Sequence, residues 1–207
     1  MNEYHKIPTV FARDPATNYK TLLLGQYAEP ELEYLAHNQW VFTEKVDGTS
    51  IRVMFNGEAI LFGGRTDNAQ IPSFLVTKLN ERFLPQLGLF KKLFPDGVCL
   101  YGEGYGARIH KGGGNYRADQ DFILFDVKVR DWWLKRDDVI DVAQKMDIEI
   151  VPILGKGTLP QMVEMAQVGF LSTWGNFIAE GIVARPEVEL KARNGKRIIT
   201  KIKHKDF

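Results

Sequence analysis

A lysine flanked by acids and followed by a glycine, in Glu44-Lys45-Val46-Asp47-Gly48-Thr49-Ser50, stands between the apolar run Trp40-Val41-Phe42 and the alternating run Ile51-Arg52-Val53-Met54-Phe55. A lysine amine is a nucleophile only when neutral, and an ordinary Lys with a pKa of ~10.4 reaches that form at pH 7 at a cost of roughly 4.6 kcal/mol. Carboxylates near the amine, such as Glu44 and Asp47, raise that cost by favouring the ammonium. Other ammonium groups or a divalent cation lower it. Lys201 and Lys203 are the cations available for that task, since residues two apart on a strand point to the same side. Each feature also has a plainer reading. Asp-Gly is a common turn pair, and lysines on an edge strand guard against aggregation.

Further short motifs follow Lys45 in order: Gly63-Gly64-Arg65-Thr66, Tyr101-Gly102-Glu103-Gly104, Phe122-Ile123-Leu124-Phe125-Asp126-Val127, Glu180-Gly181-Ile182-Val183 and Lys201-Ile202-Lys203. In residue type and order the series resembles the covalent nucleotidyltransferase superfamily of polynucleotide ligases and capping enzymes. It is most similar to ATP-dependent RNA ligases of the RNA ligase 2 type, over roughly residues 40–207.

The resemblance implies a chemistry. Lys45 would attack the α-phosphorus of ATP and carry AMP as a covalent lysyl-AMP, pass it to a 5′-phosphate end, and release it when a 3′-hydroxyl seals the strand. Lys201 and Lys203, with Mg²⁺ or Mn²⁺, would hold the triphosphate and the departing pyrophosphate, and Glu180 would place the metal. In the nucleotide site Phe125 would stack on adenine and Glu44 would read the base edge. Arg65 would bind a phosphate and Glu103 the ribose hydroxyls, with Asp47, Gly48 and Ser50 completing the stretch around the nucleophile. The implied partner is RNA with 5′-phosphate and 3′-hydroxyl ends, as in RNA repair, with DNA a further candidate.

Two departures qualify that picture. The position five after the nucleophile is commonly Asn in RNA ligases and Arg in many DNA ligases, and here it is Ser50. The last motif ends at Lys203, four residues before Phe207, so the expectation is a single nucleotidyltransferase domain over 1–207 without a C-terminal barrel or helper domain. From a different class, the same motifs suit a binding module for nucleotide or nucleic acid that keeps the fold without the chemistry.

Composition sets the frame. With 207 residues, 44% hydrophobic and 12% aromatic, the chain can bury a sizeable core. No apolar leader and no run of membrane-spanning length is visible, so the expectation is a cytoplasmic monomer with no membrane partner. The single Cys99, in Val98-Cys99-Leu100, reads as a small core residue. The net charge of +1 argues against a uniformly basic wrapper, yet residues 191–205 hold seven Lys/Arg and no acid.

The elements that must position these residues follow from pattern. Residues 29–37 suit a short helix started near Pro30, and 40–62 a β-hairpin turned at Asn56-Gly57, with Arg65 just beyond it. Ser73 is placed to cap a helix carrying Phe74, Val76, Leu79 and Phe83. A buried strand is expected over 98–102 with Glu103 at its end, then a glycine-rich loop over 104–120 whose Arg108, His110, Lys111 and Arg117 could approach phosphates. A strand over 121–129, a helix over 136–146, a strand over 148–154 and a helix opened by Thr158-x-x-Gln161 follow. Trp132-Trp133 suits packing better than base stacking. Strands over 176–184 and 197–203 complete an α+β fold of two largely antiparallel sheets with flanking helices.

Overall fold

The computed structural model describes residues 3–207. Its strands are β1 (Phe11–Arg13), β2 (Leu22–Tyr27), β3 (Trp40–Glu44), β4 (Thr49–Phe55), β5 (Ile60–Gly64), β6 (Val98–Gly106), β7 (Gln120–Val129), β8 (Trp132–Trp133), β9 (Glu149–Ile150), β10 (Ile153–Gly157), β11 (Gly181–Pro186) and β12 (Thr200–Lys203). Its helices are α1 (Pro30–Tyr34), α2 (Ser73–Phe83), α3 (Leu87–Leu93), α4 (Arg136–Lys145) and α5 (Leu159–Val168). The chain divides into two compact units. One is Asp47–Val151 with the N-terminal residues up to His5, and the other is Lys6–Val46 with Pro152–Phe207.

The first unit is built on the sheet β5-β4-β6-β7-β8, antiparallel throughout, with β9 added parallel to β7. Its core follows from alternation: Ile51, Val53 and Phe55 of β4 are fully buried, together with Leu100, Phe122 and Leu124 from the neighbouring strands. Leu75, Leu79 and Phe83 of α2, Phe90 of α3, and Val139 and Ala143 of α4 join the same cluster. Ser73 opens α2 without a side-chain cap bond, so the helix start rests on Pro72.

The second unit carries the antiparallel sheet β10-β3-β11-β12 and the small ribbon β1-β2. Trp40, Phe42, Ile182, Ala184 and Ile202 pack there with Leu159, Met162 and Ala166 of α5 and Leu32 beneath. The capping box at Thr158 forms: the Gln161 N–H donates to the Thr158 hydroxyl at 3.4 Å, and the Thr158 N–H donates to the Gln161 side chain at 2.9 Å.

Two largely antiparallel sheets with flanking helices are therefore present, and several boundaries differ from the pattern-based reading. The stretch 40–62 is not one hairpin. β3 belongs to the second unit between β10 and β11, and the hairpin is β4 with β5. Its connection has four residues, held by the Asn56 side chain accepting from the N–H groups of Glu58 and Ala59, with the positive φ at Gly57 alone. β6 continues through Glu103 to Gly106, so Glu103 lies inside a strand. Gly104 lies in that strand, paired with Thr49 and Phe122, and must be glycine because a Cβ there would stand 2.5 Å from the Leu75 side chain. The 148–154 run splits at Val151-Pro152 into β9 and β10, one in each unit. Glu180 immediately precedes β11, and the final strand begins only at Thr200.

Candidate active site

Three adjacent strands of the second unit set the chemistry. β11 lies between β3 and β12, with Ile182 opposite Glu44 and Gly181 opposite Lys203. Lys45, just past β3, donates its N–H to the Gly181 carbonyl at 2.9 Å. Three side chains consequently meet in a row. Glu180 Oε2 is 2.7 Å from Lys45 Nζ, and Glu180 Oε1 is 2.5 Å from Lys203 Nζ. The side chains of Lys45, Glu180 and Lys203 are 19%, 9% and 23% exposed, so water reaches them only in part and their charges act strongly on one another.

Burial pushes the Glu180 carboxyl upward, but the ammonium charges of Lys45 and Lys203 more than offset it, and its pKa lies below the ordinary value. Lys201, two residues before Lys203 on β12, responds in the opposite sense. Burial first, then the charges of Lys45 and Lys203, lower it to about 8, with Glu180 pulling the other way. The carboxylate that faces the Lys45 amine is thus Glu180, 135 residues away, where the sequence suggested Glu44 or Asp47.

Glu44 has other partners. It is 1% exposed, and its oxygens accept from the Ser172 hydroxyl at 2.6 Å and from the Thr173 N–H and hydroxyl, both at 2.9 Å. The expected reading of a base edge therefore meets a carboxylate already engaged inside the second unit. Sequence inspection offered no signal for Ser172 or Thr173, which carry no motif.

The strands need a close approach. A Cβ on Gly181 would stand 2.1 Å from the Ile202 carbonyl oxygen. Gly181→Ala is expected to part β11 from β12 and to lower stability by about 1–3 kcal/mol. Chemical denaturation reads this directly, and an unchanged midpoint would show that the strands can separate freely.

The remaining predicted site residues lie in the first unit. Gly48 packs on β6, where a Cβ would stand 2.3 Å from the Gly104 carbonyl oxygen and 2.6 Å from the Glu103 side chain. Ser50 is the register partner of Glu103. The loop after β6 holds the neighbouring backbone: the Asp47 N–H donates to the Tyr116 hydroxyl at 3.2 Å, and a His110 ring nitrogen lies 2.9 Å from the Gly48 carbonyl. Of the loop cations proposed for phosphates, Arg108 sits over the Phe74 ring at 4.4 Å and Arg117 pairs with Asp119 and Asp121. Arg65 is exposed on the bend after β5. Phe125 is half-buried at the irregularity in the β6–β7 ladder, with the Tyr4 ring edge-on at 5.1 Å, and Asp126 beside it accepts from the Tyr4 hydroxyl at 2.9 Å. Trp133 packs on Tyr101 as expected, with ring centroids 5.1 Å apart, whereas Trp132 is 75% exposed. Arg52, which no pattern marked, is fully buried and donates to the Gly64 carbonyl and to Asp67, both at 2.7 Å.

Similarity to known proteins accords with this arrangement. The sequence model of the RNA ligase family matches residues 38–203, most of the chain. The chain belongs to the RNA ligase family. No curated protein matches it. Among solved structures, a mutant Naegleria gruberi RNA ligase with ATP and Mn superposes at TM-score 0.70 and 21% identity, covering 98% of this chain and 56% of that one. A second mutant with ATP and Mn gives TM-score 0.66 and 22% identity, covering 84% and 52%. The same ligase with pyrophosphate gives TM-score 0.67 and 20% identity, covering 98% and 58%. At those identities the likeness establishes the RNA ligase nucleotidyltransferase fold, and the chain spans a little over half the length of these ligases. Among the described residues no helix is long and apolar enough to cross a membrane.

Proposed function

We propose that residues 1–207 form the nucleotidyltransferase domain of an ATP-dependent RNA ligase that works through a lysyl-AMP. The observation that carries the reading is the row of Lys45, Glu180 and Lys203, with Lys201 on the same strand face. The Lys45 amine, once it has lost its proton to solvent, attacks the α-phosphorus of ATP. A nitrogen–phosphorus bond forms as the bond to pyrophosphate breaks. Lys201 and Lys203 neutralise the triphosphate and the leaving pyrophosphate, since phosphoryl transfer is catalysed mainly by positioning and charge. A 5′-phosphate then displaces Lys45 from AMP, and a 3′-hydroxyl displaces AMP to seal the strand. The similar Naegleria gruberi ligase structures are with ATP and Mn, which supports ATP and a divalent cation here. In the first unit Phe125, Glu103, Arg65, Asp47, Gly48 and Ser50 are assigned to the nucleotide by the family resemblance.

Magnesium or manganese suits Glu180. Among the described residues no group of three or more His, Cys, Asp or Glu is gathered to hold a metal, and Mg²⁺ is commonly bound by one or two carboxylates plus substrate phosphates and water. Such an ion would neutralise phosphate charge and favour the neutral Lys45 amine. Glu180 is kept ionised by its ammonium neighbours, the form in which a carboxylate binds a metal.

The charge state of Lys201 yields a pH test. Above about 8, Lys201 loses the charge that recruits triphosphate. The kcat/KM for ATP should therefore fall above that pH, and Lys201→Arg, which stays charged, should move this limb higher. An unmoved limb would remove Lys201 from triphosphate binding. For stability the sign is separate: between about 8 and the ordinary 10.5 the unfolded chain binds more protons at this residue, so its contribution to stability rises with pH across that window.

The substrate is expected to be RNA, recognised at the break by the 2′-hydroxyl, in a cytoplasmic enzyme acting as a monomer. The basic stretch is weaker than its sequence suggests, because Lys196 pairs with Glu29, Arg197 with Glu189 and Lys203 with Glu180. Sealing should therefore be salt-sensitive, while lysyl-AMP formation survives moderate salt. Both steps measured across a salt series on matched RNA and DNA nicks test this. Faster sealing of the all-DNA nick would overturn the RNA assignment.

A further inference from the structure

We infer that Glu44 is a positioning residue: its carboxylate clasps the 170–179 hairpin to the end of β3 and so holds Glu180 against Lys45. The inference rests on the ligase reading for its catalytic consequence, and on the hydrogen bonds of the second unit for its geometry.

The hairpin is short and weakly built. The Ala179 N–H donates to the Phe170 carbonyl at 2.9 Å, the Ser172 N–H donates to the Phe177 carbonyl at 2.8 Å, and Leu171 bridges Ile178. Phe170 packs on the core of the second unit and Ala179 is buried, which fixes the base of the hairpin, whereas Leu171 and Ile178 are 60% and 50% exposed. Towards the turn it is held by Glu44. Its two oxygens take three hydrogen bonds from Ser172 and Thr173, next to the turn, and the carboxylate is almost fully buried. A buried carboxylate without donors would be costly, so the pairing is strongly favoured over an open hairpin.

The hairpin leads directly into Glu180. At that end the Lys45 N–H grips the Gly181 carbonyl at 2.9 Å, while the Glu44 N–H is tied to the Pro152 carbonyl at 3.0 Å. Two consecutive residues of one strand end thus hold both ends of segment 172–181, Glu44 by its side chain and Lys45 by its backbone. Glu180 has its carboxylate between Lys45 and Lys203 because the segment carrying it is pinned at both places. Opening the clasp leaves the backbone around Glu180 held by the Lys45 N–H on the Gly181 carbonyl, the His204 N–H on the Glu180 carbonyl at 3.0 Å and the Ala179–Phe170 bond, but frees the turn that precedes it, and Glu180 gains freedom to shift from Lys45.

Ser172→Ala/Thr173→Val removes two donors without touching Glu44, and Glu44→Gln places an amide group where the Thr173 N–H and hydroxyl both donate. Both variants should slow lysyl-AMP formation at saturating ATP by about tenfold or more, with KM for ATP within about twofold and the preference for ATP over GTP unchanged. Combining them should add little to either alone. Thr173→Ser keeps both donors and should restore near wild-type rates. Amide hydrogen exchange across 172–181 should accelerate in both variants. Exchange unchanged in both overturns the clasp, whether or not the protein adenylylates. A Glu44→Gln that alters nucleotide preference or KM, with Ser172→Ala/Thr173→Val silent, returns Glu44 to the base. A folded wild type that forms no lysyl-AMP defeats the ligase reading alone, since the exchange measurement still decides the clasp.

Discussion

Lys45→Arg and Lys45→Ala are both expected to reduce transfer of AMP to the protein to background while leaving it folded. Arginine keeps the positive charge beside Glu180, so a purely electrostatic role for Lys45 would be largely preserved by it. A nucleophilic role would not, because the guanidinium has no free lone pair at neutral pH. Neither change strands the carboxylate, since Glu180 remains 2.5 Å from Lys203. The same variants should still seal a strand supplied already adenylylated, because that step needs no lysine nucleophile. AMP transfer retained by either variant would place the nucleophile elsewhere.

Glu180→Gln is expected to have the next largest effect. It removes the charge that bridges Lys45 and Lys203 and the carboxylate assigned to the metal, and lysyl-AMP formation should fall by roughly 10²–10³-fold. Two ammonium groups drawn to one carboxylate would then face each other across an uncharged amide. Since all three side chains keep some contact with water, the stability loss should be modest, about 1–3 kcal/mol. The metal assignment has its own signature: half-maximal adenylylation should need more Mg²⁺ in Glu180→Gln than in Glu180→Asp, which keeps the charge. Equal metal dependence in the two would confine Glu180 to holding the lysines.

Much of the site was legible because its residues are local to strands whose periodicity is plain. Thr200 and Ile202 are buried and Lys201 and Lys203 are half-exposed, as alternation along an extended segment requires, and Lys45 sits where a buried run gives way to a turn. What escaped was set by partners far along the chain. β3 looked like the first arm of a hairpin because β4 follows it so closely. Its true partners are β10 and β11, more than a hundred residues on, and no local pattern encodes that pairing. The partners of Glu44 are hidden for the same reason, since Ser172 lies 128 residues away. Gly104 looked like loop because glycine usually signals one, whereas here Leu75 leaves no room for a side chain. Splitting of the 148–154 run at Pro152 was foreseeable in kind, since proline cannot donate to a ladder, but not in its consequence of sending β9 and β10 to different units.

The central claim is that Lys45 becomes covalently joined to AMP. Incubating the protein with ATP labelled at the α-phosphate and Mg²⁺, denaturing it, and mapping the labelled peptide tests that claim in one measurement. The proposed ligase function predicts label that survives denaturation and maps to Lys45, and that is discharged by added pyrophosphate. No surviving label, or label on any other residue, would contradict it.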